Sequence, residues 1–259
     1  MINHLKQRYT QYIFLFSQLV KRDFTSKYKR TALGLVWSIL DPILRTLVMY
    51  LVFTQFFGND TPHFIVYIFV GQLVFSFFSN GTTAGMQSLM GNAGLISKVR
   101  VPKYLFLLSR NVATVLEFAT SLLVLFIFIA IEGIAFSPRW LLLVYPIITL
   151  LLTNIGIGLT LSALFVFFKD IGYLYSIMLQ LLMFMSAIFW PVSNLSIEMQ
   201  RLLMINPVFS HIQYFRLVLL YGQTPTAMVH MVLLFYPIVC IGFGMFMYKK
   251  FSHRFVYYM

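Results

Sequence analysis

The sequence is poor in charge, and that shortage excludes a soluble domain. Only 10% of the 259 residues are Asp, Glu, Lys or Arg, whereas 60% are hydrophobic. Soluble domains carry roughly 25% charged residues because polar groups must meet water over most of their surface. The mean hydropathy of +0.85 points the same way. We therefore expect a single domain whose surface is covered largely by lipid.

Cysteine is scarce, and the motifs of soluble enzymes are missing. The one cysteine, Cys240, lies in an apolar run, so no disulfide within the chain and no cysteine-based metal site is expected. The sequence contains no G-x-x-x-x-G-K-[ST] phosphate loop, G-x-G-x-x-G, H-E-x-x-H or G-x-S-x-G motif. These absences argue against an enzyme and against any cofactor bound by this chain. If ATP drives its function, another subunit must bind the ATP and Mg²⁺.

Long apolar runs predict an all-α integral membrane protein. A membrane-spanning helix needs about 20 mostly apolar residues. Six such runs are separated by breaks rich in Gly, Pro or charge, at 33–57, 64–84, 107–131, 141–167, 173–191 and 230–248. Before them, in residues 1–32, apolar residues recur at helical spacing with Lys and Arg between them. That pattern indicates an amphipathic helix in the cytoplasmic interface.

Residues 192–229 are neither a clean span nor a clean loop. They hold two short apolar stretches separated by Asn206-Pro207. Irregular backbone at membrane depth is tolerated only where protein or a wet cavity shelters it. We interpret this segment as a re-entrant extracellular helical hairpin before the last span, with Asn206, Pro207 and Arg216 as a candidate outer gate. A lipid-facing surface hairpin without a gating role is the alternative.

The uneven distribution of basic residues predicts the topology. Six spans place both termini on one side, and the positive-inside rule puts that side in the cytoplasm (N-in/C-in). The cytoplasm then receives Lys6, Arg8, Lys21, Arg22, Lys27, Lys29, Arg30, Lys98, Arg100, Lys103, Lys169, Lys249, Lys250 and Arg254. The outside receives Arg139, Arg201 and Arg216. The net charge of +12 therefore indicates anionic membrane lipids as partners, and no nucleic acid.

Ionisable residues inside membrane spans are costly and usually functional. Asp41 and Arg45 lie in the first predicted span, and Glu117 lies in the third with Arg110 near its end. At 1.5 Å per residue, Arg45 and Glu117 are at a similar depth, about 15 Å from the cytoplasmic side. We predict that the ion pairs Arg45–Glu117 and Asp41–Arg110 clamp these spans together. The alternative is that Glu117 carries protons in a secondary transporter.

Aromatic residues make up 18% of the chain and are suited to line a path for sugars. The candidates for such a channel are Phe75, Phe77, Phe78, Tyr173, Tyr175, Phe184, Phe189 and Trp190. Ordinary packing, or a belt of Trp and Tyr at the membrane interface, is the alternative for each of them.

Several motifs, taken in order, resemble ABC-2 permeases that export surface polysaccharides. Residues 22–42 fit the pattern R-D-x-x-x-x-Y-x-x-(T/S)-x-L-G-x-x-W-x-x-x-x-P of that family at every fixed position. A basic, Pro-containing loop follows the second span at 98–103. The segment Phe167-Phe168-Lys169-Asp170-Ile171 is similar to an F-F-R-D-(I/V) element, with Lys169 in place of Arg. Asn206-Pro207 followed by Phe215-Arg216 is similar to the segment before the last span.

The resemblance implies a multi-pass permease of the bacterial plasma membrane, acting as a homodimer with two copies of a separate ABC ATPase subunit. Its cargo would be an undecaprenyl-pyrophosphate-linked polymer such as an O-antigen, capsule polysaccharide, wall teichoic acid or rhamnan. The residues implied in ATPase docking are Lys98, Arg100, Pro102, Lys103, Arg22 and Asp23. For the loop residues, charge that only sets the topology is the alternative.

Three other functions stay open at the level of the sequence. An ABC-2 permease for drugs or small lipids would have a purely aliphatic path. A proton-coupled flippase would depend on Glu117 and need no ATPase. A membrane-embedded enzyme is the third, although no catalytic residues converge.

Overall fold

The computed structural model is an α-helical bundle and describes residues 2–27, 29, 31–57, 62–98, 101–192 and 195–258. Its helices are α1 (Ile2–Ser26), α2 (Trp37–Phe57), α3 (Phe64–Met86), α4 (Ala93–Ile96), α5 (Tyr104–Ile131), α6 (Val144–Phe167), α7 (Ile171–Met185), α8 (Ile197–Leu203), α9 (Pro207–Leu219), α10 (Ala227–Phe251) and α11 (Phe255–Tyr258). The predicted all-α class is confirmed.

Five of the helices are long and apolar enough to cross a membrane. They are α2 with the 3₁₀ turn Gly34–Val36 before it, α3, α5, α6 with the 3₁₀ helix Pro138–Leu143 before it, and α10. These five helices fall on five of the six predicted spans. The protein is therefore a multi-pass membrane protein, as its composition predicts.

The fifth predicted span takes a different form. Helix α7 has only 15 residues, which is about 22 Å at 1.5 Å per residue and shorter than a hydrocarbon core of about 30 Å. The chain nevertheless crosses the bundle beside α3. Near one end of α3, Tyr175 donates a hydrogen bond to Thr82. Near the other end, Tyr67 donates to the carbonyl of Trp190 at 3.0 Å. Helix α7 and the irregular residues after it thus complete the pass.

Contacts between distant parts of the chain define the two ends of the bundle. At one end, Leu19 of α1, Phe106 of α5 and Phe255 of α11 share a hydrophobic cluster. We call this the terminal end, because the N-terminal and C-terminal helices meet there. At the other end, which we call the opposite end, Tyr145 donates to the carbonyl of His230 at 2.7 Å. Because the N-terminal and C-terminal helices lie at the same end, the chain must pass through the bundle an even number of times.

Helix α6 lies at the centre, and glycines let its neighbours approach closely. A Cβ on Gly156 would lie 2.5 Å from the carbonyl carbon of Cys240 in α10. A Cβ on Gly85 of α3 would lie 2.8 Å from the Cα of Gly158. Helices α3 and α10 therefore pack backbone to backbone on α6, an arrangement typical of membrane helices.

Helices α8 and α9 form the pair predicted before the last span. Their axes are bent by 114° at the break between them. Helix α8 has no buried residues, whereas most of α9 is buried in the bundle. The pair is therefore a surface helix followed by a core helix. Re-entry from outside the cell stays a prediction.

Candidate functional site

A cavity of about 570 Å³ lies between α2, α3 and α5. Because it reaches the first half of α2 and the middle of α3 and α5, it lies at membrane depth. Most of its side chains are polar, which is uncommon inside membrane spans. Its lining residues are Lys27, Thr31, Trp37, Ser38, Asp41, Pro42, Arg45, Thr46, Met49, Phe69, Gln72, Leu73, Phe75, Ser76, Phe77, Ser79, Asn80, Thr114, Glu117, Phe118, Ser121 and Met183.

Helical spacing explains why the polar groups converge here. Residues three, four, seven or eight positions apart share one face of a helix. Each of the three helices has one polar stripe of this kind within an otherwise apolar span, and the three stripes face the same cavity. The stripes are Ser38, Asp41 and Arg45 in α2, Gln72, Ser76, Ser79 and Asn80 in α3, and Thr114, Glu117 and Ser121 in α5.

Two ion pairs occupy this cavity, and neither is the pair predicted from depth. Glu117 accepts from the Lys27 ammonium at 2.9 Å. Asp41 accepts from Nε of Arg45, one turn away on α2, at 2.8 Å. The predicted Arg45–Glu117 pair is therefore wrong in its partners. Its depth argument nevertheless placed Asp41, Arg45 and Glu117 at what proves to be one cavity.

The predicted Asp41–Arg110 pair is also wrong, because Arg110 lies at the terminal end. A Cβ on Gly91 would lie 2.7 Å from the Arg110 guanidinium, so the arginine packs on that glycine. Its electrostatic neighbours are Asp23 and Arg22 of α1. Depth along a span could not identify these neighbours, because they belong to a helix outside the spans.

Arg22 and Asp23 fasten α1 to the bundle. Arg22 donates to Asp23 at 2.7 Å and to the side-chain oxygen of Asn92 at 2.8 Å. The other carboxylate oxygen of Asp23 accepts from the Ser109 hydroxyl at 3.2 Å. These contacts join α1 to α5 and to the turn that precedes α4. Both residues therefore hold α1 against the bundle at the terminal end. Their role in ATPase docking stays a prediction.

In the basic loop before α5, one basic residue is exposed and another is hydrogen-bonded to the chain beyond α10. Lys98 is exposed. Lys103 donates to the Ser252 carbonyl beyond α10 at 2.9 Å. Burial lowers the pKa of the Lys103 amine from its usual value, because desolvation disfavours the charged form. Pro102 is partly buried, and Arg100 lies outside the described residues. Lys98 is thus the described basic residue of this loop that is best placed to meet a partner.

The eight candidate channel aromatics do not form one surface. Of the eight, Phe75 and Phe77 line the cavity. Tyr175 is buried and donates a hydrogen bond to Thr82. Phe78 and Phe189 belong to the main core cluster, and Trp190 packs against it. Tyr173 and Phe184 are 76% and 55% exposed on α7.

Other aromatic residues of the cavity were missed by the sequence reasoning. They are Trp37, Phe69 and Phe118. The sequence signal that could have found them is their position beside the polar stripes on the same helices. A search for polar residues at helical spacing within each span would have located both groups.

Asn206 and Pro207 build the start of α9. The Asn206 side chain accepts from the amides of Val208 at 2.9 Å and Phe209 at 3.4 Å, which satisfies two free N–H groups of the first turn. Its amide group donates to the Ser186 hydroxyl at 3.0 Å. Pro207 occupies the first helical position, where a missing N–H costs nothing. The Asn-Pro break is therefore a capped helix start joined to the end of α7.

Arg216 holds α9 in the core. Its side chain is fully buried and donates to the carbonyls of Ala187 at 2.8 Å, Ile188 at 3.1 Å and Tyr67 at 3.1 Å. The guanidinium also lies 3.4 Å from the centre of the Tyr67 ring. Gly71 makes room for it, since a Cβ there would lie 3.2 Å from a guanidinium nitrogen. Helix α9 is thus fastened to α3 and to the end of α7, and its gating role stays a prediction.

Comparison with known proteins connects these features to a family. The sequence profile of the ABC-2 type transporter family matches residues 14–220, which include the cavity and Arg216. The O-antigen export system permease protein RfbA of Myxococcus xanthus is 29% identical over 233 residues, 88% of each chain. The polysialic acid transport protein KpsM of Escherichia coli is 22% identical over 234 residues, 89% of this chain and 91% of its own.

A capsule exporter shows a similar match. The capsule polysaccharide export inner-membrane protein CtrC of Neisseria meningitidis serogroup A is 22% identical over 205 residues, 76% of each chain. The relatives thus share most of their length with this chain.

Proposed function

The chain belongs to the ABC-2 type transporter family, and from that premise we propose that it is the membrane subunit of an ATP-driven exporter of a cell-surface polysaccharide. The observation that carries this proposal is the polar, aromatic-lined cavity at membrane depth. Three similar proteins are named for O-antigen, polysialic acid and capsule polysaccharide export, which supports the same cargo class. The family match also confirms the motif resemblance.

The chemistry of the cavity suits carbohydrate. Its hydroxyl and amide side chains both donate and accept hydrogen bonds, as sugar hydroxyls do. The faces of Phe75 and Phe118 offer apolar surface to the C–H faces of sugar rings. Its volume of about 570 Å³ falls within the range of ligand pockets, roughly 300–1,000 Å³.

The other functions fit the cavity less well. A permease for drugs or small lipids would have an aliphatic path, whereas most residues that line this cavity are polar, charged or aromatic. A proton-coupled flippase would need Glu117 to release and bind protons. That carboxylate is held by Lys27 at 2.9 Å, which favours the structural role for Glu117.

The energy source in this proposal is a separate ATPase. The sequence has no phosphate-binding loop, so ATP and Mg²⁺ would bind to two copies of a partner subunit. The terminal end would face that partner in the cytoplasm, because most basic loop residues lie there. Docking would use the loop of Lys98 and Arg100, and α1 would transmit closure of the ATPase toward the cavity through Lys27.

Two copies of the chain would form the permease. The cargo would reach it as a lipid-linked polymer of the undecaprenyl-pyrophosphate type, with the glycan passing at the level of the cavity. Helices α8 and α9 would then lie on the external side, with α9 fixed and the exposed α8 free to move. A teichoic acid is the other cargo that the resemblance implies.

Co-purification from the native host tests the ATPase partner. The tagged chain, solubilised in mild detergent, is expected to recover an ABC ATPase subunit at a ratio of one to one, as quantified by mass spectrometry. We expect Lys98→Glu to lower the recovery about tenfold, since one reversed charge at a docking contact costs at least 1.4 kcal/mol.

The matched control is Arg201→Glu, which reverses an exposed basic residue on α8 at the opposite end. That variant is expected to recover as much ATPase as the unmodified chain. Recovery of the chain alone, with polymer export that continues without ATP, would overturn the ABC exporter assignment.

A further inference from the structure

The cavity is electrically balanced although the chain is strongly basic. The sequence has a net charge of +12. The ionisable residues that line the cavity are two basic and two acidic, Lys27, Arg45, Asp41 and Glu117. Each base is paired with one of the acids, at 2.9 and 2.8 Å. Among the residues that the structure describes, the formal charge of the lining is therefore zero.

Several cations that contribute to the excess positive charge lie away from the cavity. Lys249 and Lys250 are in the last turn of α10, and Lys103 donates to the Ser252 carbonyl. These residues belong to the terminal end, beyond the stripes of α2, α3 and α5. A cargo inside the cavity would meet none of these three cations.

This balance has consequences for a charged polymer. A carboxylate or phosphate in every repeat would lose hydration on entering and would find each cation already neutralised by its partner. It would also approach Asp41 and Glu117, whose negative charges offset the attraction of Lys27 and Arg45. Hydroxyl groups instead exchange hydrogen bonds with the amides and hydroxyls of Gln72, Ser76 and Asn80 at no charge penalty.

We infer that the cavity takes an uncharged glycan, and that the exported polymer is built from neutral sugars rather than from acidic sugars or phosphodiester repeats. This inference rests on the proposed function, because it assigns the cavity to the cargo. It separates this chain by cargo chemistry from its relative named for polysialic acid.

Trp37 in the lining provides a direct reporter of occupancy. The chain has three tryptophans, so replacing Trp140 and Trp190 by Phe leaves Trp37 as the source of the signal. The full chain in lipid nanodiscs is titrated with two probes of equal residue number. One is an α-1,6-linked glucose oligomer and the other is an α-2,8-linked sialic acid oligomer.

We expect the glucose oligomer to change Trp37 emission with saturation. The sialic acid oligomer is expected to bind at least about tenfold more weakly at low salt, which corresponds to about 1.4 kcal/mol.

A charge variant links this difference to the cavity. Glu117→Gln gives the lining one net positive charge while the amide can still accept from Lys27. We expect it to strengthen binding of the sialic acid oligomer relative to binding of the glucose oligomer. The control is Glu132→Gln at the opposite end, where Glu132 pairs with His63 at 2.9 Å, and we expect it to change neither affinity.

The outcomes distinguish the neutral-glycan inference from the assignment of the cavity to the cargo. Sialic acid oligomer binding that equals or exceeds glucose oligomer binding would overturn the neutral-glycan inference and leave the cavity as a glycan site. If neither probe changes Trp37 emission, the assignment of the cavity to the cargo fails, and the inference fails with it.

Discussion

At the residue scale, the cavity depends on charged groups that are paired at membrane depth. The sequence placed Asp41, Arg45 and Glu117 correctly because depth along a helix follows from residue number alone. It could not find the partner of Glu117, because Lys27 follows a helix that was expected to stay in the interface. The last turns of α1 pack on α5, as the hydrogen bond from Ser109 to Asp23 shows.

Charge exchange tests the Lys27–Glu117 pair. The reversals Lys27→Glu and Glu117→Lys should each lower thermal stability in detergent and surface polysaccharide in cells, because each places two like charges together. The double reversal should recover both, with a coupling free energy of about 0.5–3 kcal/mol. Effects of the two single variants that simply add in the double variant would contradict the pair.

Arg216 is the second residue whose loss should be costly. Arg216→Lys keeps the charge, but an ammonium cannot reach three carbonyls in the planar geometry of a guanidinium. We expect a loss of stability of about 3 kcal/mol or more, since buried carbonyls are left without donors. Arg201→Lys on the exposed face of α8 is the control. Thermal unfolding of both variants can be monitored by light scattering. Equal melting temperatures of the two variants would show that the Arg216 contacts do not contribute to stability.

At the element scale, five spans could be predicted from length and apolarity, and one could not. The apolar run of the fifth predicted span continues past the end of α7, so composition gives no sign of the break. The break comes from tertiary contacts: Arg216 and Tyr67 take the carbonyls of Ala187, Ile188 and Trp190 that a continuing helix would use. Such contacts between distant residues leave no local pattern in the sequence.

The packing of α6 on α10 gives a prediction with a control on the same pair of helices. Gly156→Ala should destabilise the protein by about 1–3 kcal/mol, because its Cβ would lie 2.5 Å from the backbone of α10. Gly242→Ala on α10 should be neutral or slightly stabilising, since no atom lies within 4 Å of its Cβ position. Thermal unfolding of both variants in the same detergent tests this prediction. An equal change in stability in the two variants would contradict the close contact.

At the scale of the whole molecule, the function class followed from ordered motifs, whereas the site was only partly predictable. Phe75 and the charges of α2 and α5 were found because their residue types are rare or aromatic within spans. The stripe of Gln72, Ser76 and Asn80 was missed because a single uncharged polar residue in a span does not by itself indicate a site. Tyr173 was included for its chemistry, yet α7 presents it outward, 76% exposed.

The orientation of the molecule in the membrane can be tested by labelling its two ends. With Cys240 replaced by Ala, single cysteines at Lys98→Cys and Arg201→Cys report the two ends. In intact cells a membrane-impermeant maleimide should label the second variant, and the first only after lysis, because positively charged loops stay in the cytoplasm. The reverse labelling pattern would invert the orientation.

We propose that ATP hydrolysis drives a polysaccharide past the polar cavity. Uptake of labelled polymer into inside-out membrane vesicles that contain the chain and its ATPase tests this proposal most directly. We expect uptake that requires ATP, that is lost in Ser76→Trp, which fills the cavity, and that persists in Leu123→Trp, an outward position 65% exposed on α5. Uptake that continues without ATP and follows a pH gradient, or that ignores Ser76→Trp, would contradict it.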